Sequence, residues 1–284
     1  MPGGIETHVQ TLARAQADLG ADVRVFCVNG LDKKKGQSLR TQTVEALDEN
    51  VRVTSLGRMF SFARFDICPD LLTRLEGLVD QSNTILHVHT PNPTMLTALM
   101  MLRPRTPVVI THHSDIIKQR LLKYAFRPVE HLVYRQASRI LTTSTDYIEG
   151  SKFLRLYKHR LSSLPLGLDC SRYRQPSPAA LSYARRLQET YRGPLWLAVG
   201  RLVYYKALDV AIEALKLVPG TLLVIGTGPL EQELKHQAKQ LGVEKRIVWL
   251  GRVSADELAG AYQAATALWF PSNVRSEGFG LVQV

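Results

Sequence analysis

The sequence predicts an α/β protein in which two parallel sheets are each covered by helices. Short apolar runs rich in β-branched residues alternate with longer segments of helical period along all 284 residues. A length of this order suggests two domains at roughly 150 residues each. A polar, proline-rich join at 173–178 separates the two series of runs. We therefore predict two α/β halves, 1–172 and 173–284.

Ten runs are predicted to be strands, six in the first half and four in the second. They are Val23–Val28, Val51–Leu56, Ile85–Val88, Val108–Thr111, Arg139–Thr143, Ser163–Leu166, Leu195–Val199, Leu222–Ile225, Ile247–Leu250 and Ala267–Phe270. Between them, Ile5, Val9, Leu12 and Leu19 share one helical face, and Ser254 with Glu257 predicts a capping box. The chain starts at a glycine turn and stops as a helix begins. We expect the first strand and the C-terminal helices to be missing.

Composition excludes several classes of protein. Hydrophobic residues make up 45% and charged residues 21% of the chain, which indicates a packed core and argues against intrinsic disorder. No apolar run approaches the roughly 20 residues of a membrane-spanning helix. The three cysteines lack Cys-x-x-Cys spacing, which argues against a disulfide framework and a zinc ribbon and indicates reduced thiols in the cytoplasm.

Positive charge is concentrated in one segment. The formal net charge is +11, and residues 118–160 carry 10 basic against 3 acidic side chains. Such a cluster suits nucleic acid, an anionic membrane surface or a phosphorylated ligand, although a solvated surface gives the same pattern.

Several motifs of well-known sites are absent. The turn at 226–229, Gly-Thr-Gly-Pro, follows a predicted strand, but Glu231 stands where a dinucleotide fingerprint has its third glycine, which argues against an NAD site. The chain also lacks a Walker A sequence, a Gly-x-Ser-x-Gly elbow and a His-Glu-x-x-His pair. Phosphate-loop NTPases, serine hydrolases and zinc peptidases are therefore disfavoured.

Histidines gather at the ends of two predicted strands. His87 and His89 point to one side of their strand, and His112 and His113 end the next strand. A metal site would need further ligands, and no acidic residue is close to either pair in sequence. We expect partly buried, hydrogen-bonded imidazoles at His87 and His112, and a substrate-facing role for at least one histidine.

Two strand ends carry residues suited to a sugar diphosphate. Arg201 and Lys206 lie in the loop after one predicted strand, where a guanidinium and an ammonium could bind a diphosphate. Glu277 follows the last predicted strand, where a carboxylate could accept hydroxyl hydrogen bonds and glycine-flanked amides could bind oxygens. Solvated surface charges are the alternative for the two cations.

Six segments in this order resemble glycosyltransferase family 4. They are 3–8 (GGIETH), 111–114 (THHS), 165–169 (PLGLD), 200–206 (GRLVYYK), 226–229 (GTGP) and 276–282 (SEGFGLV). The resemblance implies a GT-B fold, in which two Rossmann-like domains face a cleft. It also implies retaining transfer of a hexose from a nucleotide-diphosphate sugar, with an N-terminal acceptor-side domain and a C-terminal donor-binding domain.

The resemblance also assigns roles to individual residues. Its catalytic residues would be His113 in the sugar pocket, Arg201 and Lys206 on the diphosphate, and Glu277 on the sugar hydroxyls. The donor would further contact the backbone of residues on several loops, namely Gly4, Val253 (against the base), Phe279, Gly280 and Leu281. No cofactor or metal is expected, because the two cations would stabilise the departing diphosphate.

Partners and location follow from the same resemblance. The acceptor would be a glycan or lipid-linked molecule of cell-surface polysaccharide or glycolipid synthesis, and nucleic acid is not expected. Family members often act on membrane-bound acceptors. We therefore expect a cytoplasmic protein with peripheral contact to an anionic inner leaflet through 118–160, where 152–158 mixes apolar and basic residues as an interfacial helix would.

This chain departs from the family pattern in places. Ala207 stands where the family has glycine, which is expected to tilt that loop. The family's second glutamate, which grips the ribose, would fall at residue 285, so we expect the 284-residue chain to bind donor poorly and to be inactive as written. The alternatives are a sugar-nucleotide epimerase, which would use acid and base carboxylates, and an inactive nucleotide- or membrane-binding fragment. Tyr204-Tyr205 is similar to mannosyl- and rhamnosyl-type members.

Overall fold

The computed structural model describes residues 4–30, 41–62, 65–114, 120–272 and 280–283. The chain divides into an N-terminal unit, 2–167, and a C-terminal unit, Leu168–Val284. The division predicted from sequence, after residue 172, falls inside the short helix Ser171–Arg174. Within the described residues, every helix is too short or too polar to span a bilayer. All three cysteines are free thiols.

The N-terminal unit is built from three groups of strands and five helices within the described residues. Its strands are β1 Arg24–Val28, β2 Val44–Asp48, β3 Val51–Leu56, β4 Phe60–Phe62, β5 Phe65–Ile67, β6 Leu86–Thr90, β7 Val108–His112, β8 Arg139–Thr142 and β9 Leu161–Ser163. Its helices are α1 Gly4–Asp18, α2 Asp70–Glu76, α3 Pro93–Leu102, α4 Arg120–Gln136 and α5 Thr145–Gly150. The main sheet has the order β6-β7-β8-β9, and all of its pairings are parallel.

The C-terminal unit alternates strands and helices throughout its described part. Its strands are β10 Leu195–Val199, β11 Thr221–Ile225, β12 Ile247–Gly251 and β13 Ala267–Leu268. Its helices are α6 Ser171–Arg174, α7 Pro178–Thr190, α8 Leu208–Ala214, α9 Glu231–Gln240 and α10 Ala255–Ala264. The parallel sheet has the order β12-β11-β10-β13. The strand order therefore reverses between β10 and β13, and ligands of doubly wound sheets bind at the carboxyl ends of the strands at such a switch point.

Both faces of the C-terminal sheet are covered by apolar helices. Leu195 and Leu197 of β10 pack on one side with residues of α7 and α10, whereas Ala198 packs on the other side with Ile212 of α8 and Leu234 of α9. Alternate residues of one strand point to opposite faces, so a strand buried on both faces needs apolar residues at every position. This explains why its strands were predicted as continuous apolar runs.

The core of the N-terminal sheet contains a buried polar network. Tyr134 of α4 is fully buried, and its hydroxyl lies 2.8 Å from Thr90 Oγ1 and 2.7 Å from His112 Nδ1. These partners replace water for the phenol and imidazole inside the core. They fix α4 against the carboxyl ends of β6 and β7, where the histidines lie.

The structure corrects several element predictions. The strand predicted at Ser163–Leu166 lies earlier, as β9, and the strand predicted at Ala267–Phe270 is limited to β13. Three strands were missed because they are short or polar: β2, which pairs antiparallel to β3, and the β4–β5 hairpin. The capping box of α10 is confirmed, since Glu257 N donates to Ser254 Oγ and Ser254 N donates to a Glu257 carboxylate oxygen.

The predicted interfacial helix at 152–158 is wrong. Leu154–Arg160 is a 3₁₀ segment with a kink at Tyr157. Phe153, Leu154 and Tyr157 are at most 4% exposed and belong to the core around Tyr134. The spacing of apolar and basic residues therefore reflects a segment with one face in the protein core.

Ala207 adopts the conformation that glycine would favour. Its φ is +48° and its ψ is +42°, in the left-handed region, directly before α8. That conformation costs an alanine about 1–2 kcal/mol. The turn itself is therefore kept, and the departure from the family pattern is absorbed as local backbone strain.

We expect Ala207→Gly to change the free energy of unfolding by no more than about 0.5 kcal/mol. Relief of the strain offsets the loss of a buried methyl group and the greater freedom of glycine in the unfolded chain. Ala211→Gly, in the regular part of α8, loses the methyl group without relieving strain and should cost about 1.5–2 kcal/mol. Urea unfolding of both variants measures the difference. An equal loss of unfolding free energy in the two variants would contradict backbone strain at Ala207.

Candidate functional site

The cation loop, Gly200–Lys206, leaves the carboxyl end of β10. Gly200 has a φ of +148°, and a Cβ there would lie 3.2 Å from Lys206 Cε, so the lysine side chain packs directly over the glycine backbone. Arg201 is exposed and forms no ion pair with any residue in the described ranges. The loop therefore places an ammonium and a guanidinium at the switch point of the sheet.

The glycine turn 226–228 packs against the cation loop. A Cβ on Gly226, whose φ is +128°, would overlap the carbonyl oxygen of Gly200. A Cβ on Gly228 would come within 2.6 Å of Leu202 N. Backbone hydrogen bonds join the two segments, from Leu202 N to Thr227 O at 3.2 Å and from Leu230 N to Leu202 O at 3.2 Å. These glycines therefore serve close packing of two strand-end loops, which holds the cation loop in place.

Phe270 links the cation loop to the C-terminal segment. The Lys206 ammonium lies 5.1 Å from the centre of the Phe270 ring, a cation–π distance. Gly280 is buried on the same ring, because a Cβ there would lie 2.8 Å from Phe270 Cζ. Tyr262 of α10 donates from its hydroxyl to Val282 O at 2.7 Å, which anchors the segment that follows. Two predicted site residues, Lys206 and Gly280, thus contact one aromatic ring.

A small pocket of about 20 Å³ lies at this point, between the ends of β10 and β13. It has room for about one water molecule, so a larger anion would lie over its mouth. Its lining comprises the residues Ala198, Val199, Gly200, Arg201, Leu202, Lys206, Leu208, Val224, Ile225, Trp269, Phe270, Pro271 and Ser272. The Ser272 hydroxyl is buried and has no hydrogen-bond partner in the described part of the chain. Buried polar groups are nearly always paired, so this oxygen suits a ligand or water partner. The charged members of this lining are both cations, which suits an anion.

Among the described residues, the others that are predicted to contact the sugar donor are not part of the pocket lining. Val253 lies in the loop between β12 and α10, where its side chain packs against the core below. It is outside the lining of the pocket between β10 and β13. The backbone of Leu281 begins a 3₁₀ turn, Leu281–Gln283. Glu277 and Phe279 lie outside the described residues, so their predicted roles stay predictions.

Gly4 and His113 belong to the N-terminal unit. Gly4 is the exposed first residue of α1. His113 follows β7 and is 5% exposed, its backbone N–H donates to Thr90 O, and its Nε2 lies 2.9 Å from His89 Nδ1. Burial first, and then the nearby imidazoles, lower the pKa of His113 to about 4 and that of His89 to about 2. Both rings are therefore neutral at neutral pH.

The sequence predicted the state of two other histidines and missed a third. His87 Nε2 lies 2.7 Å from Thr111 Oγ1, and His112 bonds to Tyr134, so both are hydrogen-bonded as expected. His8 was not singled out, yet it is buried on α1 with its ring centre 5.6 Å from that of His113. The apolar face predicted for α1 is wrong at Ile5, which is 37% exposed, and at Leu19, which follows the helix and is 89% exposed. Helical periodicity alone therefore did not show which side of α1 is buried.

A larger cavity of about 570 Å³ lies elsewhere, on the sheet formed by β1, β3 and β2. Its arginines are already paired with carboxylates. Arg24 and Arg52 bond to Asp22, and Arg74 bonds to Glu45. The arginines of this cavity are therefore already compensated, whereas Arg201 of the cation loop forms no ion pair within the described ranges.

Comparison with protein families gives two matches that together span most of the chain. Residues 2–172 match the model described as Glycosyltransferase Family 4. Residues 184–284 match the model described as Glycosyl transferases group 1. The two matches fall on the N-terminal and C-terminal units, respectively.

Individual relatives agree with these matches. The chain is 29% identical over 279 residues to the D-rhamnosyltransferase WbpZ of Pseudomonas aeruginosa, covering 98% of this chain and 70% of the relative. It is 28% identical to the O-antigen chain mannosyltransferase C of Escherichia coli, covering 98% and 71%, respectively. Among solved structures, sucrose-phosphate synthase from Thermosynechococcus elongatus superposes with a TM-score of 0.68 at 20% identity, covering 99% of this chain and 72% of that one.

Proposed function

Because the chain belongs to glycosyltransferase family 4 and has the α/β GT-B fold, we propose that it transfers a mannose-type hexose from a nucleoside-diphosphate donor. The acceptor is a glycan or lipid-linked molecule of cell-surface polysaccharide or glycolipid synthesis. The names of the relatives, a rhamnosyltransferase and an O-antigen mannosyltransferase, support both the sugar and the product class. Rhamnose is 6-deoxymannose, so one sugar pocket could accept either hexose with little change.

The pocket at the switch point carries this proposal. In the reaction the bond between the anomeric carbon and the diphosphate oxygen breaks, and the electron pair leaves with the diphosphate. Arg201 and Lys206 flank that pocket and would stabilise the charge that develops on the leaving group. The buried Ser272 hydroxyl would gain a hydrogen-bond partner in a bound donor. The two cations supply the charge that a metal would otherwise supply, so we propose transfer without a metal or cofactor.

The other site residues are proposed to act on the sugar and the nucleotide. His113, neutral at neutral pH, would hydrogen-bond to the hexose near the reacting carbon. Glu277 would accept hydrogen bonds from sugar hydroxyls, with the backbone of Phe279, Gly280 and Leu281 beside the donor. The backbone of Val253 would contact the base, and Gly4 would lie against the donor. The acceptor hydroxyl oxygen would attack on the face that the diphosphate leaves, and its proton would pass to an oxygen of the departing diphosphate. Attack on that face retains the anomeric configuration.

Transfer is favoured over epimerisation by the charges in the pocket. An epimerase would use carboxylates as acid and base, whereas the described lining of the pocket contains cations and no carboxylate. The named relatives are glycosyltransferases as well. A sugar nucleotide would therefore be consumed by transfer, with release of the nucleoside diphosphate.

Donor choice is tested by thermal shift and turnover. Because the chain covers 70% and 71% of the length of the two named relatives, the assay uses a chain extended past Val284, called the extended chain. Guanine is proposed as the base of the donor, because the name of a further matching mannosyltransferase calls it GDP-mannose-dependent. We expect GDP-mannose to raise the Tm more than UDP-glucose or ADP-glucose, because a ligand of the folded state stabilises it according to its affinity. GDP release should require an added glycan acceptor. Equal shifts with all three donors would contradict the proposed sugar, and GDP-mannose turnover to a free epimer would contradict transfer.

We propose peripheral contact with an anionic inner leaflet from the cytoplasmic side, through α4 and the basic residues between 120 and 160. Tyr124, Pro128 and Leu132 form an exposed stripe at spacings of four residues, with Tyr124 76% and Leu132 49% exposed. Arg135, Lys152 and other exposed cations in the same range would add attraction to anionic lipid of about 1 kcal/mol for each charge at the surface.

Flotation with vesicles tests this contact. We expect binding to vesicles that contain anionic lipid and several-fold weaker binding of Leu132→Glu, because the new charge repels the surface and removes apolar contact. Leu217→Glu, at a leucine that is 86% exposed in the C-terminal unit, serves as the matched control and should bind normally. Flotation that does not depend on anionic lipid would contradict the contact.

A further inference from the structure

Three histidines from different elements of the N-terminal unit form a compact cluster. His8 lies on α1, His89 on β6, and His113 directly follows β7. One ring nitrogen from each histidine lies within 4.8 Å of those of the other two. The rings of His89 and His113 are stacked at 5.2 Å, and the ring of His8 stands nearly perpendicular to both, at 5.7 and 5.6 Å. We call His8, His89 and His113 the histidine cluster.

One nitrogen of the histidine cluster lacks a hydrogen-bond partner within the described ranges. His8 is 7% exposed, and its Nδ1 is buried without a hydrogen-bond partner in the described ranges. Burial lowers the pKa of all three rings, so they are neutral at neutral pH and keep a lone pair on one nitrogen. Neutral imidazole is the form that binds metal ions. The N-terminal unit thus holds three neutral imidazoles side by side. His89 and His113 are hydrogen-bonded to each other, and His8 is not bonded to either.

We propose that His8, His89 and His113 form a binding site for a transition-metal ion of the zinc class, with three imidazole ligands and one open coordination position. The donor set selects the metal, because imidazole suits Zn²⁺, Ni²⁺, Cu²⁺ and Co²⁺, whereas Mg²⁺ and Ca²⁺ need oxygen ligands. No carboxylate belongs to the cluster in the described part of the chain. Sequence reasoning missed the site because α1 supplies the third ligand from far away in the chain.

The required geometry is close to the observed one. Zinc–nitrogen distances of about 2.0–2.1 Å in a tetrahedral site place the ligand nitrogens about 3.3 Å apart. The 2.9 Å contact between His89 Nδ1 and His113 Nε2 would open slightly as the proton of this hydrogen bond moves to the other nitrogen of its own ring, which leaves a lone pair for the ion on each facing nitrogen. The longest separation in the cluster would close by up to about 1.5 Å. Rotation of the His8 side chain on α1 covers a change of this size. The ring of His87 lies 4.5 Å from that of His89, but its Nε2 already lies 2.7 Å from Thr111 Oγ1, and His87 is not a member of the histidine cluster.

Occupancy of this site would inhibit sugar transfer. The ion would take the lone pair of His113, the residue that the proposed function places against the hexose. This consequence rests on the proposed function, whereas metal binding itself does not. Zinc would therefore act on the enzyme as an inhibitor held by the protein's own histidines, and the transfer reaction itself would run on the metal-free form.

Metal binding is measured on the 284-residue chain after treatment with a chelator. Titration with Zn²⁺ against a chromophoric chelator should give one ion per chain, and Co²⁺ should give the intense visible bands of a tetrahedral site. His8→Asn and His89→Asn should each weaken binding by about tenfold or more. His236→Asn, at an exposed histidine of α9, is the matched control and should bind normally. Thermal unfolding without metal confirms that each variant is folded.

The metal titration and the inhibition assay test the metal site and the proposed transfer activity separately. Less than one ion per chain, or unchanged affinity in folded His8→Asn and His89→Asn, would overturn the metal site. Inhibition is then measured on the extended chain, with each variant compared with its own zinc-free rate. We expect zinc to inhibit the unmodified enzyme and His236→Asn, and His8→Asn to lose that sensitivity. Bound zinc without inhibition would overturn the inhibitory role, whereas absence of transfer in zinc-free enzyme would overturn the proposed function and leave the metal site standing.

Discussion

Replacing Arg201 with alanine is expected to lower kcat for sugar transfer by about 10²–10³-fold. The guanidinium lies on the cation loop and lines the pocket where the diphosphate is proposed to bind. Charge on the leaving diphosphate grows as the anomeric bond breaks, so a fixed cation stabilises the transition state more than the bound substrate. Arg201 is exposed, and the alanine variant should keep the stability of the unmodified protein.

The measurement is steady-state release of nucleoside diphosphate by the extended chain, together with the Tm of each variant. Arg185→Ala, at an exposed arginine of α7 in the same unit, is the matched control and should keep its rate. Lys206→Met should also lose activity while it keeps the packing of the side chain over Gly200 and Phe270. An unchanged kcat in Arg201→Ala would remove this residue from the mechanism.

Replacing Gly226 with alanine is expected to destabilise the protein by about 2–6 kcal/mol. A φ of +128° is rarely adopted by residues with a side chain and costs of the order of 1–3 kcal/mol. The new Cβ would also overlap the Gly200 carbonyl oxygen, and relief of such overpacking costs about 1–3 kcal/mol more. Because the turn holds the cation loop through backbone hydrogen bonds, the remaining folded protein should also bind donor more weakly.

Gly242→Ala separates backbone strain from close packing. Gly242 has a φ of +68°, but no atom lies within 4 Å of a Cβ built there. The Gly242→Ala substitution should destabilise the protein by about 1 kcal/mol, which is the strain of an alanine in the left-handed region alone. Chemical unfolding of both variants gives the comparison. Equal losses at the two positions would show that the contact between the glycine turn and the cation loop is not tight.

The C-terminal unit could be predicted well from sequence because its strands are buried on both faces. Such strands are continuous apolar runs, and β10, β11 and β12 were all located. β13 was predicted too long because Trp269 and Phe270 are apolar for another reason: they line the pocket. Apolar residues occur both in buried strands and in the walls of pockets. An apolar run in the sequence therefore does not show which of the two it forms.

The N-terminal unit was predicted less completely because its edges are polar or locally irregular. β2 reads Val-Glu-Ala-Leu-Asp and is mostly exposed, so it lacks an apolar run. The β4–β5 hairpin has strands of three residues each, which are too short for periodicity to be measured. At 152–158 the mixture of apolar and basic residues predicted an interfacial helix, whereas the segment is a kinked 3₁₀ turn whose Phe153, Leu154 and Tyr157 pack into the protein core. Apolar residues on one face of a segment indicate that this face is covered. They do not show whether the protein core or a membrane covers it.

The candidate site was predicted only where its residues come from one loop. Arg201 and Lys206 lie in the cation loop, so a strand end followed by two cations was enough to place them together. Phe270 and Ser272 were missed because they join the pocket through the pairing of β10 with β13, across a long stretch of chain. The contribution of His8 to the histidine cluster was missed for the same reason.

The most direct test of the account is a crystal structure of the extended chain with GDP. The account predicts that the diphosphate lies over the mouth of the pocket between the ends of β10 and β13, with its oxygens about 2.7–2.9 Å from the Arg201 guanidinium and the Lys206 ammonium. A diphosphate bound instead in the cavity beside Arg24, Arg52 and Arg74, or anywhere away from the cation loop, would contradict it.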